Sequence, residues 1–458
     1  MVKTRKKYRN NKGGKVIASG GYGCVFVPAL KCEGASKKES NKISKLMTEA
    51  HAISEYEEIN KIKDELDSIP NYQDYFLIND ATLCRPSKLT PSDLKAFSDK
   101  CSALPKNNIT KNNINDKLDE VMSLNIPNGG LPVDDYLYSN GSLQKMYNVN
   151  LALIKLLKKG IIPMNKRNIY HCDIKDSNIL IDDSEKARLI DWGLSVEYTP
   201  SRTIPFPKNW RNRPLQFNVP FSVIIFTDDF YRKYSDYLKD GGEVNKTALK
   251  AFVIDYLNYW IKERGPGHYK FINEIIFMLY SSKLSSVSEN SKPVLIETEI
   301  AVPIIVNYIV DVLVHYTKFK SDGSLNLREY LNEVYVKIVD VWGFITSYYP
   351  MLEMLSNNRV TLNENEIKIL EKLEYIFNKY LYTPRHEPYN ITELFNNLEA
   401  LGDAIHISIN GRKKTITSSS PLASGIRKNK TRRAKTSKIF KRKQLVKRFK
   451  KPFLLSLK

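Results

Sequence analysis

One stretch, residues 171–193, constrains this chain more than any other part of it. Two apolar runs within it, 179–181 and 189–190, flank a polar turn at 182–185, and this pattern predicts a β-hairpin. Polar side chains stand at the entrance and the exit of the hairpin and would lie near one point: Asp173, Lys175, Asn178 and Asp191. Three oxygen-bearing side chains and one ammonium suit Mg²⁺ and a polyphosphate, whereas an ordinary hairpin needs none of them.

These residues and their spacing resemble the catalytic loop and the metal-binding motif of eukaryotic-type protein kinases, H-R-D-x-K-x-x-N followed by D-F-G. Cys172 replaces the family Arg, and Trp192 replaces the Phe. Chance occurrence of common polar residues on a loop is the alternative. The resemblance implies ATP and Mg²⁺ as cofactors. It also implies that Asp173 and Lys175 are catalytic residues and that Asn178 and Asp191 are metal ligands.

The resemblance also implies the fold class and the domain organisation. The fold class is α+β: a bilobal protein-kinase-like fold with a small antiparallel-sheet N-lobe and a large helical C-lobe. Because little in the basic first residues could be buried, they are expected to form a flexible arm. The expected segments are the arm at 1–15, the N-lobe at 16–127, the C-lobe at 128–411 with a helical insertion at about 223–335, and a basic tail at 412–458.

A glycine cluster lies between two apolar runs within residues 16–26. This pattern predicts two strands joined by a loop whose backbone can approach phosphates closely. Beside the kinase pattern G-x-G-x-x-G-x-V, Ala18 replaces the first Gly, whereas Gly20, Gly23 and Val25 match. The resemblance implies that these residues bind the nucleotide, with Val25 packed on the adenine. A plain hairpin turn would have a similar pattern.

The short strand predicted over residues 42–47 resembles the kinase V-A-I-K. In that comparison Lys45 takes the position of the residue that contacts the α- and β-phosphates. Lys42 is the alternative, and a solvated surface lysine is the ordinary fate of either one.

Helical periodicity over residues 48–66 predicts a helix after this strand. A kinase needs a Glu on this helix to pair with the strand Lys. Glu55 lies toward the core-facing edge of the apolar pattern and is the expected partner, with Glu57 and Glu58 as nearby alternatives.

The hydrophobic pattern predicts three more elements. Residues 75–78 indicate a strand. Residues 121–126 indicate another, followed at 127–130 by a segment that resembles the hinge between kinase lobes. An amphipathic helix is expected over 142–159, where Gly160 ends it as a C′ residue.

Two downstream features bear on the resemblance. Residues 194–216 resemble an activation segment, although no A-P-E follows and 214–220 match that motif poorly. Residues 340–344 resemble the D-x-W-x-x-G of the central kinase helix, in which the Asp hydrogen-bonds the backbone of the catalytic loop. Gly343 comes earlier than the family Gly, and an accidental Asp-x-Trp on a buried helix is the alternative.

The positive charge of the chain is concentrated at its end. Of 71 Lys and Arg residues, 18 lie between Arg412 and Lys458, where there is no Asp or Glu, so the rest of the chain carries +3 of the net +21. Such a tail could serve in nuclear import, could bind nucleic acid or an anionic membrane surface, or could be a solvated end.

The five cysteines form no C-x-x-C pair, and without a signal peptide they indicate a reducing, intracellular compartment. The six histidines form no H-E-x-x-H motif or Cys/His cluster, so a structural zinc site is not expected. The most apolar run, 301–314, is too short to cross a bilayer, and we expect a buried helix and no transmembrane segment.

The sequence therefore predicts an ATP- and Mg²⁺-dependent protein kinase acting on protein substrates. Lys175, two residues after the catalytic Asp, favours Ser and Thr as acceptors by family resemblance. Cys172 removes the usual partner of an activation-loop phosphate, so activity is expected without that phosphorylation. A small-molecule phosphotransferase of kinase-like fold and a pseudokinase scaffold are the alternatives.

Basic ends around a divergent kinase body also resemble kinase-like proteins of large DNA viruses. This looser resemblance implies a place in the host cytoplasm or the virion, and the basic tail would also permit the nucleus. The physiological substrate, the regulator and the oligomeric state cannot be inferred from the sequence.

Overall fold

The structure is a computed structural model. Side chains are described to residue 411, and the described ranges are 15–139, 141–201, 206–317 and 325–417. The predicted arm, apart from Lys15, and nearly all of the predicted basic tail lie outside these residues. The chain divides into two compact units, residues 1–130 and 131–458. The first contains an antiparallel sheet and the second is mostly helical, which confirms the predicted α+β, bilobal fold class.

The first unit is built on five antiparallel strands. They are β1 (Lys15–Ser19), β2 (Gly23–Val27), β3 (Lys42–Thr48), β4 (Thr82–Cys84) and β5 (Val121–Pro127). Their order in the sheet is β1-β2-β3-β5-β4. The central strand, β3, pairs along its whole length with β5, from Lys42 opposite Pro127 to Thr48 opposite Val121. The glycine-cluster hairpin, β3 and β5 agree with the sequence predictions.

The prediction of a strand over residues 75–78 is wrong. A single 3₁₀ turn, Tyr72–Asp74, precedes these residues, and β4 lies further along the chain. Tyr75 and Phe76 are both buried, and their ring centroids are 6.4 Å apart. Because consecutive side chains of a strand point to opposite faces, two adjacent rings buried together are better accommodated in a loop.

Helix α1, Glu49–Leu66, follows β3 directly, as predicted. Its buried side chains recur at helical spacing and form one stripe: Ala52, Ile59, Ile62 and Leu66. An acidic residue in the first turn and a basic residue in the last complement the helix dipole. The stripe turns one face of α1 inward, so the position of Glu55 relative to the sheet is set by apolar packing.

Two disulfides tie the first unit together. Cys24 in β2 is joined to Cys101, which follows helix α2 (Phe97–Lys100), and Cys32 is joined to Cys84 in β4. The paired residues are 77 and 52 positions apart. These pairs depart from the reducing compartment that the cysteine spacing indicated, in which disulfides are rare. The spacing did not predict them, because their geometry depends on how the loops fold back.

Helices make up most of the second unit. They are α3 (Val133–Tyr138), α4 (Leu143–Leu156), α5 (Ile162–Asn165), α6 (Asp228–Lys239), α7 (Lys246–Arg264), α8 (Tyr269–Tyr280), α9 (Lys292–Ile296), α10 (Val302–Tyr316), α11 (Leu327–Tyr330), α12 (Val336–Thr346), α13 (Tyr349–Ser356), α14 (Glu364–Phe377) and α15 (Ile391–Thr417). Four π-helical turns continue α4, α9, α11 and α14.

The predicted end of the helix at Gly160 is wrong. The helix begins as expected, with the Ser142 hydroxyl accepting from the Lys145 N–H, but after α4 it continues through a π turn, Leu157–Ile161, into α5. Gly160 lies buried inside that turn. Burial of the apolar residues around it outweighs the weak preference of a glycine for the end of a helix.

Short strands complete the second unit: β6 (Leu131–Pro132), β7 (Ile169–Tyr170), β8 (Ile179–Ile181), β9 (Ala187–Leu189) and β10 (Val196–Glu197). The predicted hairpin is confirmed as β8 and β9, paired from Ile179 opposite Leu189 to Ile181 opposite Ala187. Its turn is closed by Asp182, whose Oδ1 accepts from the backbone N–H groups of Ser184 and Lys186.

The apolar run at 301–314 is longer in the structure than its sequence suggested. It belongs to a continuous helical segment, Lys292–Tyr316, whose length and composition would suffice to cross a membrane. Half of its most apolar window is buried, however, and α10 contributes nine buried side chains to the second unit. The predicted burial of this run is therefore confirmed, and its predicted length is corrected.

We expect one titratable thiol in the denatured, unreduced chain and five after reduction. The reason is that the two disulfides consume four of the five cysteines and leave Cys172. Alkylation in denaturant followed by mass spectrometry counts these thiols. Reduction should also lower the free energy of unfolding by about 2–5 kcal/mol for each bond. Five reactive thiols before reduction would contradict the pairing.

Candidate active site

The loop before β8 brings three of the predicted site residues into direct contact. The Lys175 ammonium lies 2.7 Å from Oδ2 of Asp173. The Asn178 amide donates to the main-chain oxygen of Asp173 at 2.8 Å and to its Oδ2 at 2.9 Å. Asp173 and Asn178 are buried. A carboxylate, an ammonium and an amide thus form one hydrogen-bonded group.

The fourth predicted residue, Asp191, is attached to the same loop by the backbone. The N–H of Ile190 donates to the carbonyl of Asn178 at 3.0 Å, and Nε2 of His171 lies 2.9 Å from the carbonyl of Ile190. Asp191 itself has φ +65°. Non-glycine residues rarely adopt this left-handed conformation, and where they do the surrounding structure holds them in it.

A buried carboxylate from a distant helix holds residues 171–178, which we call the catalytic loop after the kinase motif that they resemble. Oδ2 of Asp340 in α12 accepts from the N–H of His171, and Oδ1 accepts from the N–H of Cys172, both at 2.8 Å. Asn165 also donates to Oδ2 at 2.7 Å. Burial raises the pKa of Asp340, and these hydrogen bonds and His171 oppose that rise. The contact predicted from Asp-x-Trp is confirmed.

Gly343 has a packing role one turn after Asp340. A Cβ built at this position would lie 2.5 Å from the carbonyl oxygen of Ile174, which belongs to the catalytic loop. No real side chain is tolerated at that distance from backbone. The glycine therefore lets α12 approach the loop closely, although it comes earlier than the kinase pattern would place it.

Cys172 joins the catalytic loop to the segment after residue 206. The Trp210 indole N–H donates to its sulfur at 2.8 Å, and the Arg213 guanidinium donates to its carbonyl at 2.9 Å. Burial raises the pKa of Cys172, so the sulfur is an uncharged thiol. Like Asp191, this residue has a positive φ, +60°. The position of the family Arg is thus occupied by a small buried acceptor.

Asn218 is a site residue that the sequence analysis missed. Its buried amide donates to Oδ1 of Asp173 at 2.8 Å and to the carbonyl of Ile174 at 3.3 Å. It therefore orients the carboxylate from the side opposite Lys175 and Asn178. In the sequence this segment resembles A-P-E only poorly, and no local pattern indicates an amide beside Asp173.

Asp176 gives the loop a carboxyl group that titrates near neutrality. Burial and the neighbouring charge of Asp134 raise its pKa to about 7. Backbone hydrogen bonds and Lys175 oppose the rise. This group was not among the predicted site residues.

In the first unit, the predicted ion pair between β3 and α1 is present. The Lys45 ammonium lies 2.8 Å and 2.7 Å from the two carboxylate oxygens of Glu55. The two side chains are 14% and 12% exposed, so water screens the pair only partly. Lys42, the alternative, instead lies 3.1 Å from Glu39. The predicted contact of Lys45 with Glu55 therefore forms, and Lys42 contacts a different carboxylate.

The glycine-cluster hairpin places the other predicted nucleotide-binding residues. Ala18 lies opposite Val25, beside an irregularity in β1, and the N–H of Gly20 donates to the carbonyl of Gly23 at 2.8 Å. A Cβ at Gly23 would meet the carbonyl oxygen of Leu46 at 2.8 Å, so β2 and β3 need a glycine there. Tyr22 lies exposed in the turn.

The donor set around the hairpin fits Mg²⁺. Asn178 and Asp191 present an amide and a carboxylate, and both are oxygen ligands. Among the described residues, no group of three or more His, Cys, Asp or Glu side chains is placed to hold a metal. Mg²⁺ is commonly bound by one or two protein side chains together with substrate phosphates, so this small set is sufficient.

Comparison with known families places part of the chain. Residues 111–211 match the family model of the protein kinase domain. The matched part runs from the residues before β5 through the catalytic loop and the β8–β9 hairpin to the segment that contacts Cys172. It therefore contains Asp173, Lys175, Asn178 and Asp191.

Asp340→Ala should lower the free energy of unfolding by about 3 kcal/mol, because two buried N–H groups lose their acceptor. Chemical denaturation at pH 7 measures the change. Asp183→Ala, in the exposed turn between β8 and β9, is the matched control and should change it by less than about 0.5 kcal/mol. Equal effects of the two substitutions would contradict the role of Asp340.

Proposed function

We propose, because residues 111–211 match the protein kinase domain, that this chain is an ATP- and Mg²⁺-dependent protein kinase that phosphorylates Ser and Thr. The single observation that carries this proposal is the hydrogen-bonded group of Asp173, Lys175 and Asn178 at the entrance of the hairpin that leads to Asp191.

Asp173 would accept the proton of the substrate hydroxyl and orient its oxygen for attack. Two amides, from Asn178 and Asn218, hold this carboxylate from different sides, so little reorganisation would accompany the reaction. The Lys175 ammonium, next to the same carboxylate, would offset charge on the transferred phosphoryl group.

Lys45, held by Glu55, would bind the α- and β-phosphates. The glycine-cluster hairpin, with Gly20, Gly23 and the strand that carries Val25, would cover the nucleotide. Asn178 and Asp191 would hold the metal. When bound, Mg²⁺ neutralises phosphate charge, and the chain supplies the position of the two ligands.

Lys175 supports Ser and Thr over Tyr as acceptors. It lies two residues after Asp173, as in the Ser/Thr branch of the resemblance described above, and its ammonium contacts the carboxylate directly. Asn218 also contacts Asp173, and its amide donates to this carboxylate and to the carbonyl of Ile174.

Asp173→Asn and Asp191→Ala should each reduce phosphoryl transfer from radiolabelled ATP by about 10²–10⁴-fold, because one removes the proton acceptor and the other a metal ligand. The readout is label on generic protein substrates, followed by phosphoamino-acid analysis. Asp183→Asn, in the exposed hairpin turn, is the matched control and should keep wild-type activity. Label on small molecules alone, or ATP binding without any transfer, would contradict the proposal.

Treatment with a phosphatase should leave the activity of the purified protein within about twofold of its starting value. The reason is that Trp210 and Arg213 join the segment after residue 206 to Cys172 by direct hydrogen bonds. The family Arg at the position of Cys172 would instead need a phosphate on that segment as its partner. A phosphorylated bystander peptide in the same tube verifies the phosphatase. Complete loss of activity would contradict this prediction.

A further inference from the structure

The segment between β4 and β5, residues 85–120, packs against the glycine-cluster hairpin formed by β1 and β2. It contains α2 and several short turns, and we call it the β4–β5 segment. Buried side chains of this segment and of the strands belong to one apolar core: Leu94, Phe97 and Leu104 with Val16, Phe26 and Leu46. The hairpin is therefore supported by a part of the chain that contains no predicted site residue.

A disulfide joins this segment to the hairpin in the middle of the predicted nucleotide-binding residues. Cys24 lies in β2 between Gly23 and Val25, and it is bonded to Cys101, the first residue after α2. Both cysteines are buried. The end of α2 is thus held covalently against the hairpin, next to two residues that would cover the nucleotide.

Ser19, the last residue of β1, links the same two parts by hydrogen bonds. Its Oγ accepts from the backbone N–H groups of Ser102 and Ala103, both at 3.1 Å. The same oxygen lies 3.4 Å from the carbonyl oxygen of Gly23, on the other side of the glycine turn. One hydroxyl therefore connects both ends of the turn to the two residues that follow Cys101.

The turn itself, residues 20–22, has little packing around it. All three residues are exposed, and a Cβ built on Gly21 would meet no atom within 4 Å. At the tip, the rings of Tyr22 and of His51 in α1 have centroids 4.4 Å apart, and both residues are exposed. Because glycine adopts many backbone conformations, the position of this turn depends on the contacts at its two ends.

Those contacts depend on the disulfide. Ser102 is exposed, so water competes for the hydrogen bonds at Ser19, and neutral hydrogen bonds in such a position contribute little by themselves. The covalent bond at Cys101 keeps the two N–H donors that follow it beside Ser19. Without this bond, the hairpin would lose its covalent restraint and the hydrogen bonds that accompany it.

We propose that the Cys24–Cys101 disulfide is a redox-dependent restraint: it positions the glycine-cluster hairpin for ATP, and its reduction weakens nucleotide binding. This inference rests on the proposed function. A dithiol breaks the S–S bond in two exchange steps, in which two electrons and two protons pass to Cys24 and Cys101 and the dithiol becomes a disulfide. Because the reduced hairpin occupies the binding-competent conformation for a smaller fraction of the time, the apparent Kd rises by the inverse of that fraction.

The other disulfide provides a matched control. Cys32 and Cys84 lie outside the hairpin, and Cys84 belongs to β4, at the edge of the sheet opposite β1. The two bonds join residues 77 and 52 positions apart within the first unit, so their removal should destabilise that unit to a similar extent. Of the two bonds, the first alone involves the hairpin.

The test compares the wild-type chain with two double variants, Cys24→Ala/Cys101→Ala and Cys32→Ala/Cys84→Ala, by calorimetric titration with a non-hydrolysable ATP analogue and Mg²⁺. The first variant should bind with a Kd about three- to tenfold above that of the oxidised wild type, whereas the second should stay within about twofold. In turnover assays the first variant should raise the KM for ATP by the same factor, with kcat nearly unchanged.

A dithiol separates the effect of reduction from the effect of substitution, with the number of free thiols verified by alkylation. The wild type and Cys32→Ala/Cys84→Ala should both show the rise in Kd, and reoxidation should reverse it. Cys24→Ala/Cys101→Ala should not respond. Amide hydrogen exchange should become faster in residues 19–24 of the reduced chain but not in β5.

An equal Kd for all three chains would overturn the inference and leave the proposed function intact. Faster exchange throughout the sheet would also overturn it, since the bond would then only stabilise the fold. Absence of ATP binding by the oxidised wild type would overturn both. If the first double variant does not fold, Ser19→Ala, which keeps the disulfide and removes the acceptor, decides: a rise in Kd of about two- to threefold would support the inference, and an unchanged Kd would contradict it.

Discussion

The catalytic loop depends on one buried carboxylate. Asp340 accepts hydrogen bonds from the main-chain N–H groups of two consecutive residues, His171 and Cys172, and is only 1% exposed. Without this acceptor, two donors would be buried unpaired, and one of them belongs to Cys172, whose positive φ already strains the backbone. The desolvation of a carboxylate is costly, and here the bonds it makes to the loop offset that cost.

The loop is held from a second side by the segment that follows residue 206. Trp210 and Arg213 donate hydrogen bonds to Cys172, and Asn218 donates one to Asp173. Further along, the Trp342 indole of α12 donates to the carbonyl of Phe217 at 2.8 Å, so the helix that carries Asp340 also fixes this segment. The same few elements therefore position both the Asp173 carboxylate and the segment beside it.

The first unit uses a different device for its own site residues. The pair of Lys45 and Glu55 is placed by a strand in the middle of an antiparallel sheet and by a helix with a single apolar stripe. Both elements are regular, and neither contains a residue with positive φ. Regular elements can be inferred from periodicity, so both elements were predictable, whereas the choice of Lys45 and Glu55 within them came from the resemblance to the kinase pattern.

The amino-acid sequence alone determined the features that depend on local order: the hairpin after Asn178, α1 with its buried stripe, and the residue types at 173, 175, 178 and 191. Tertiary structure decided the rest. The disulfides, the contact of Asn218 with Asp173, and the approach of His268 to Leu215 all join residues that are distant in sequence, and no periodicity encodes them. Likewise, burial and not glycine preference determined that the helix continues past Gly160, because packing free energy exceeds local propensity.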